Sequence, residues 1–154
     1  MPLFWNCKPF AELTLTELYA ALRLRSEIFV VEQNCPYLDM DGLDEASFHL
    51  LGRTETGEMA AYTRLLPKGI SYPEYASIGR VVVSQAHRRG GLGQELMRES
   101  IANCERLFGP APIKIGAQQY LEKFYQSFGF AKCGEGYDED GIPHIPMLRP
   151  GLSL

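Results

Sequence analysis

The run Val81-Val82-Val83-Ser84-Gln85-Ala86-His87-Arg88-Arg89-Gly90-Gly91-Leu92-Gly93 carries a β-branched segment into a basic, glycine-rich turn. From Leu92 apolar residues recur at Leu96, Met97, Ile101, Cys104, Leu107 and Phe108, the spacing of one helix face. A buried strand over 81–83 and a helix beginning close to Gly91 follow. The first turn of a helix leaves backbone N–H groups without intrahelical partners, and its macrodipole adds partial positive charge there. Glycines at 90, 91 and 93 place no Cβ between those donors and a phosphate, and Arg88 and Arg89 supply charge and fork-shaped donors. The stretch is suited to a phosphorylated ligand, although the same glycines would also serve a plain helix start.

Other glycine loops fit less well. A P-loop requires Lys and then Ser or Thr after its last glycine, but Gln94 and Glu95 follow Gly93. A dinucleotide fingerprint requires a third glycine three places further on, where Leu96 stands. The pattern that does fit is Arg-x-x-Gly-x-Gly at Arg88, Gly91 and Gly93.

Composition narrows the classes. A chain of 154 residues with 45% hydrophobics can bury one sizeable core, and one domain over residues 1–154 is expected. No run of eighteen apolar residues and no charged leader ahead of an apolar segment occurs, so neither a membrane span nor a secretory signal is expected. Cys7, Cys35, Cys104 and Cys133 form no CxxC pair and the three histidines lack ligand spacing, which points to reduced cysteines, no metal and a cytoplasmic protein. The acidic turns at 39–42 and 138–141 lack the glycine position and closing Glu of a calcium loop. A net charge of −4 argues against nucleic acid as the main partner and, with Arg88 and Arg89 as a local exception, favours a small anionic ligand.

Along the chain, residues 3–8 read as a short strand, and Thr14-Leu-Thr-Glu17 as a capping box opening a helix toward Phe29. Residues 30–46 lose periodicity and read as a long loop. Residues 48–53 and 59–66 read as a hairpin around Thr54-Glu-Thr-Gly57, and 78–83 as the strand entering the glycine turn. After the helix to about Phe108, stopped by Gly109 and Pro110, come a strand over 113–117, a helix over 119–128 ended by Gly129, and short strands from Phe130 and at 145–148 around the turn-rich 136–143. The expected fold is α+β, a largely antiparallel sheet flanked by helices.

The order strand, Arg-x-x-Gly-x-Gly, helix, strand, then Tyr-x-x-x-Gly-Phe at Tyr125, Gly129 and Phe130 resembles the GCN5-related N-acetyltransferases (GNAT), over about residues 15–148. Residues 29–44 and 138–144 resemble the small bacterial ElaA-like branch. The resemblance implies acetyl-CoA as co-substrate, its pyrophosphate resting on the turn Arg88, Arg89, Gly90, Gly91, Leu92 and Gly93. It further implies that the pantetheine pairs like an added strand with Val81, Val82 and Val83, and that the thioester lies where this strand and residues 113–117 splay apart. By the same resemblance Tyr125 protonates the departing thiolate, and a backbone N–H at Val82 or Val83 serves the oxyanion. Buried tyrosines otherwise pack with a bonded hydroxyl, and valines otherwise fill a core.

Two departures stand out. Gln118 occupies a position where the family often has Asn, offering the same amide on a longer arm to the cofactor. The strand entrance Ser77-Ile-Gly-Arg80 has no carboxylate where the family often carries one, so the general base is unassigned. Glu32, His49 and the acidic 39–45 cluster are candidates for attracting or deprotonating an amine, against the plain alternative of a solvated loop. His87 and His144 read as turn residues. The expectation is direct acetyl transfer to a primary amine of a small molecule or peptide, without a covalent enzyme intermediate, nucleic acid or membrane. The rivals are a non-enzymatic acyl-CoA-binding module and a nucleotide-phosphate enzyme, the latter wanting a metal carboxylate set. Phe4, Trp5 and Phe10 are candidates for a homodimer contact.

Overall fold

The computed structural model describes residues 2–151. Strands β1 (Phe4–Pro9), β2 (Phe48–Arg53), β3 (Met59–Leu66) and β4 (Ser77–Val83) form an antiparallel sheet in that order. Strands β5 (Ile113–Gln118), β6 (Ala131–Lys132), β7 (Tyr137–Glu139) and β8 (Ile142–Arg149) form a second sheet in which β8 pairs antiparallel with the other three. The expected α+β class and the hairpin at 54–57 are observed.

The helices take opposite faces because alternate strand residues point opposite ways. Helix α1 (Leu15–Arg25) opens on the anticipated capping box, with the Glu17 amide donating to Thr14 Oγ1 at 3.1 Å and the Thr14 amide to Glu17 Oε1 at 2.9 Å. Its Ala21 and Leu24 pack on Leu51, Tyr62 and Val82. On the other face, α2 (Leu92–Phe108) sets Leu96 on Leu50 and Ala61, and Met97, Ile101 and Cys104 join Ile115, Ala117, Ile145 and Met147 in the main core. Thr63 and Ser100 share a buried hydroxyl hydrogen bond of 2.8 Å within this packing.

Two expected helices are shorter than the apolar spacing suggests. After Arg25 the chain continues through Ser26–Glu32 as a wider π turn, a feature that tends to mark functional sites; it buries Ile28 and leaves Phe29 and Glu32 lining the cleft described below. The segment 119–128 divides into a 3₁₀ turn, Gln119–Leu121, and helix α3 (Glu122–Gln126), closed by the Phe128 amide on the Tyr125 carbonyl at 3.0 Å and by Gly129 at φ +93°. The turn-rich 136–143 is in fact the β7–β8 hairpin: Asp140 (φ +53°) and Gly141 (φ +82°) both have positive φ, as a tight two-residue hairpin turn requires.

What positions the site is the seam between sheets. They meet at a parallel bridge between Ala76 and Ile113, where the Lys114 amide donates to the Ala76 carbonyl at 3.0 Å. Beyond it β4 and β5 diverge, leaving the far edge of β4 without a partner strand among the described residues. A bulge precedes this free edge: Tyr62 lies opposite Val82 but Arg64 opposite Gly79, so β4 spends one more residue than β3. Arg80 takes up the excess at φ +51°, a conformation costly for a residue with a side chain.

Candidate functional site

The divergence of β4 and β5 opens a cleft of about 1020 Å³, at the upper end of the size range for small-molecule sites. One wall is the glycine turn. Arg89, Gly90 and Gly91 take φ of +83°, +82° and +79° in succession, and α2 starts on Gly91 with no side chain capping it. The first helical amide with a backbone acceptor is that of Glu95, on the Gly91 carbonyl at 3.1 Å; among the described residues the amides of 89–94 donate to no backbone carbonyl. A Cβ built on Gly90 or Gly91 meets no protein atom within 4 Å, so the turn faces open space. A stretch of free donors at a helix start, with arginines beside it, fits the diphosphate of a coenzyme.

The β4 edge supplies a second polar strip. The Ser84 amide donates to the Ala60 carbonyl at 2.9 Å, and alternation along an antiparallel ladder then turns the Val82 amide and carbonyl toward β3 and those of Val83 toward the cleft. Arg88 Nε donates to that outward Val83 carbonyl at 3.3 Å. The second nitrogen of its fork lies 2.9 Å from Glu32, whose carboxylate also accepts from the Gln85 amide; the Arg88 hydrogen bond is the main reason the Glu32 carboxyl is held below its usual range.

Tyr125 reaches the cleft from α3, only 6% exposed and edge-on to Phe124 and Phe130. Burial, with some help from Tyr120, pushes its phenol up to about 12, so it is a protonated acid throughout the neutral range. Gln118 lines the cleft at the end of β5.

Behind the β4 bulge lies a closed charge network of three arginines and three aspartates. Arg25, 1% exposed, donates from Nε to Asp39 Oδ2 at 2.8 Å and from Nη1 to Asp44 Oδ1 at 2.7 Å. Arg64 donates from Nη1 and Nη2 to the two oxygens of Asp41 at 2.7 and 2.8 Å, and from Nη1 to Asp44 at 3.0 Å. Arg80 donates from Nε to Asp39 Oδ1 at 2.8 Å and from Nη2 to the Asp39 carbonyl at 2.9 Å, which holds the bulge in its unusual backbone conformation. The charges balance, so the acidic 39–45 loop is mostly bound inward rather than solvated, and Asp39, Asp41 and Asp44 are not free to attract a cation.

His49 is corrected by the same network. It is 1% exposed, is not part of the cleft wall, and donates from Nε2 to the Asp44 carbonyl at 2.9 Å. Its Nδ1 therefore accepts from the Tyr62 hydroxyl at 2.6 Å, and burial holds its pKa below the ordinary value despite the Asp44 contact. It is a neutral core histidine locking β2 to β3.

A profile of the acetyltransferase (GNAT) domain matches residues 29–149. The chain belongs to the GNAT acetyltransferase family. It is 46% identical to protein ElaA of Escherichia coli K12 over 147 residues, covering 94% of this chain and 95% of that protein. It is 42% identical to a UPF0039 protein of Synechocystis over 148 residues, 96% of each chain. Among solved structures it superposes on an acyl-CoA N-acyltransferase from Pseudomonas aeruginosa with a TM-score of 0.89 and 46% identity, covering 96% of this chain and 99% of that one. For Escherichia coli ElaA the values are 0.88 and 45%, with coverage of 96% and 99%. This GNAT chain is thus an N-acetyltransferase of the ElaA-like branch, whose fold takes an acyl-CoA as co-substrate and an amine as acceptor.

Within this GNAT cleft the residues singled out from sequence converge well. Val81, Val82, Val83, Arg88, Arg89, Gly91, Leu92, Gly93, Gln118, Tyr125 and Glu32 all line it; Gly90 sits in the turn but off the cleft wall, and His49 lies in the core. The sequence reading missed the inward arginines, and it missed the hairpin wall formed by Tyr137, Glu139, Ile142 and His144. A signal for the hairpin was present in Asp140-Gly141 between extended segments. The arginines carried none, because nothing local pairs residue 25 with residues 39 and 44. Of the aromatics considered for a dimer contact, Phe4 is largely exposed, Trp5 donates its indole N–H to Glu95 at 3.4 Å, and the Phe10 ring packs near His49. Among the described residues no cluster of His, Cys, Asp and Glu is placed to hold a metal ion, and no helix is long and apolar enough to cross a membrane.

Proposed function

We propose that the protein transfers an acetyl group from acetyl-CoA directly to a primary amine, both substrates being bound together. The observation that carries this reading is the meeting, in one cleft, of a run of free amides, an unpaired strand edge and a buried phenol. The free amides of the turn from Arg89 to Gly93, with the Arg88 and Arg89 guanidiniums, receive the diphosphate. The outward carbonyl of Val83, and the edge of Val81 beside it, receive the amide groups of the pantetheine as an added strand would be received. Gln118 offers a further amide contact.

At the thioester end, Val83 is the one of the two valines considered whose N–H faces the cleft and can stabilise a developing oxyanion. Tyr125 donates its proton to the departing thiolate. Its high pKa keeps that proton in place until the sulfur acquires charge. Among the described residues no hydroxyl or thiol is assigned as a nucleophile, in keeping with transfer in a single ternary complex.

The test is thiol release from acetyl-CoA with a panel of primary amines, together with calorimetry of coenzyme binding. Binding and amine-dependent release are expected. Binding with no release for any amine would favour a sensing role, and no binding would overturn the reading of the cleft.

A further inference from the structure

We propose that His144 is the base that takes the proton from the incoming ammonium, with Glu139 as the positioning residue that holds the imidazolium formed. The proposal rests on the acetyl-transfer reading above and fills the role left open by the missing β4 carboxylate. His144 Nδ1 lies 2.7 Å from the Ile142 carbonyl, which can only accept, so Nδ1 carries the hydrogen. The Nε2 of the neutral ring is consequently a lone pair. Its neighbour, at 3.3 Å, is Glu139 Oε2, a group that also only accepts. Among the described residues none donates to that lone pair, yet a carboxylate waits beside it for the proton it would gain.

The fold places His144 on the face of the β5–β8 sheet opposite the core that holds the acid. Ile145 and Met147 of β8, and Ile115 and Ala117 of β5, point into the core that contains Tyr125. By strand alternation His144, and Gly116 and Gln118 opposite β8, point the other way. His144 is opposite Gln118 in register, at the open end of β5, and is part of the cleft wall. The ring is fixed by stacking on Tyr137, with centroids 5.7 Å apart. Tyr137 in turn lies over Gly116, where a Cβ would run into its hydroxyl, so a glycine there is what lets the hairpin fold down.

The titratable groups facing His144 come from β7, from β5 and from the loop before β4. Glu139 and the Tyr137 phenol face it from β7; Tyr72 approaches from the loop before β4, with Lys114 of β5 against the Tyr72 ring and Cys133 nearby. Burial raises both phenols, Tyr72 to about 12, so neither takes a proton from an ammonium. Of the other carboxylates lining the cleft, Asp41 is held by Arg64 and Glu32 by Arg88.

The step balances as follows. His144 Nε2 takes one proton from R–NH3+, and the freed nitrogen lone pair forms the C–N bond at the thioester carbon. The C–S bond breaks with its electrons on sulfur, which takes the Tyr125 proton. The phenolate recovers the proton that the new amide nitrogen sheds, and the His144 proton passes to solvent.

The experiment compares wild type, His144→Gln and Glu139→Gln in thiol release from acetyl-CoA, with spermidine as a charged amine and hydroxylamine as an amine largely uncharged near neutral pH. His144→Gln is expected to lower kcat/KM for spermidine about 10²-fold near neutral pH and to replace the acid limb of its profile by one that follows only the ammonium's own ionisation at higher pH, leaving hydroxylamine turnover and acetyl-CoA affinity within about two-fold. Glu139→Gln should move the acid limb to lower pH. An unchanged acid limb in His144→Gln would overturn the proposal. Independently of any acceptor, nitrogen-15 spectra should show neutral His144 protonated on Nδ1 and bare at Nε2. The opposite tautomer, or an Nε2 that gains no proton over the acid limb, would also overturn it. Failure of wild type to bind acetyl-CoA would instead remove the reading on which the proposal stands.

Discussion

Glu32 and Arg88 form an ion pair of 2.9 Å at the edge of the glycine turn, so one of the two guanidiniums proposed to meet the coenzyme is already engaged. Glu32 therefore does not act as a free attractor of amines. Binding of a diphosphate has to share or break this pair, and an exposed pair of this kind is worth roughly 0.2–1 kcal/mol. Glu32→Gln is expected to tighten coenzyme A binding by up to about five-fold, with a steeper loss of affinity as salt rises. Calorimetry at two ionic strengths checks it, and weaker binding in the variant would contradict it.

Gly91 separates two effects that a glycine variant usually mixes. Its φ of +79° makes any side chain strained, at roughly 1–2 kcal/mol, while the space beside it is open. Gly91→Val should cost about that much in stability and lower acetyl-CoA affinity by more than ten-fold, because the added methyls fill the volume the phosphates need. Denaturant midpoints and dissociation constants read the two losses separately.

Tyr125→Phe removes a hydroxyl from an aromatic cluster without changing its shape. Turnover is expected to fall about 10²-fold with coenzyme affinity unchanged. The phenol, at about 12 in the folded chain, lies above its ordinary value near 10. Its contribution to stability is thus complete below about 10 and lost as pH rises through about 12. The wild type should lose this contribution in strong alkali and the Phe variant should not, which alkaline denaturation monitors.

Arg25 has no water to fall back on. Arg25→Met leaves Asp39 and Asp44 buried against one another and is expected to cost about 3–5 kcal/mol, seen as a large fall in melting temperature.

The same network predicts the acid response. Burial alone would raise the Asp41 carboxyl, but the Arg64 hydrogen bonds, the Leu43 amide and the charges of Arg64 and Arg80 outweigh it and hold the group at about 2. Asp44 moves in the same direction, with burial outweighed chiefly by Arg25. A folded value below the unfolded one stabilises above about 4, and that gain is lost as pH falls through about 2. Asp41 is open to the cleft, so its part is about 1 kcal/mol. Asp41→Asn should show this loss already at neutral pH and a flatter decline in acid, measured by urea titration across pH.

The legible part of this protein was its local chemistry. Val81 to Val83 are β-branched, Arg88 to Gly93 can bend only as a turn, and Leu92 onward repeats as a helix face; each property resides in a few adjacent side chains. The glycine turn and the strand before it were thus found at their observed places, and the Tyr125 helix as a shorter element within its expected span. The wrong site residue, His49, and the misread acidic loop fail for one reason: whether a carboxylate or imidazole faces water depends on partners distant in sequence. Asp39, Asp41 and Asp44 resemble a solvated loop until Arg25, Arg64 and Arg80 are brought to them.

Adjacent residues were enough to determine that a strand, a glycine turn and a helix would follow one another, since steric limits on φ and ψ and the spacing of apolar side chains act over a few positions. Only the tertiary structure decided that β4 and β5 would part into a cleft, that three arginines would neutralise the acidic loop, and that His144 on the hairpin wall would line the same cleft as Tyr125. Those outcomes depend on which strand edges and charges find partners across long loops. Burial makes an unpaired group costly enough to settle the arrangement, and no local window of sequence contains that cost.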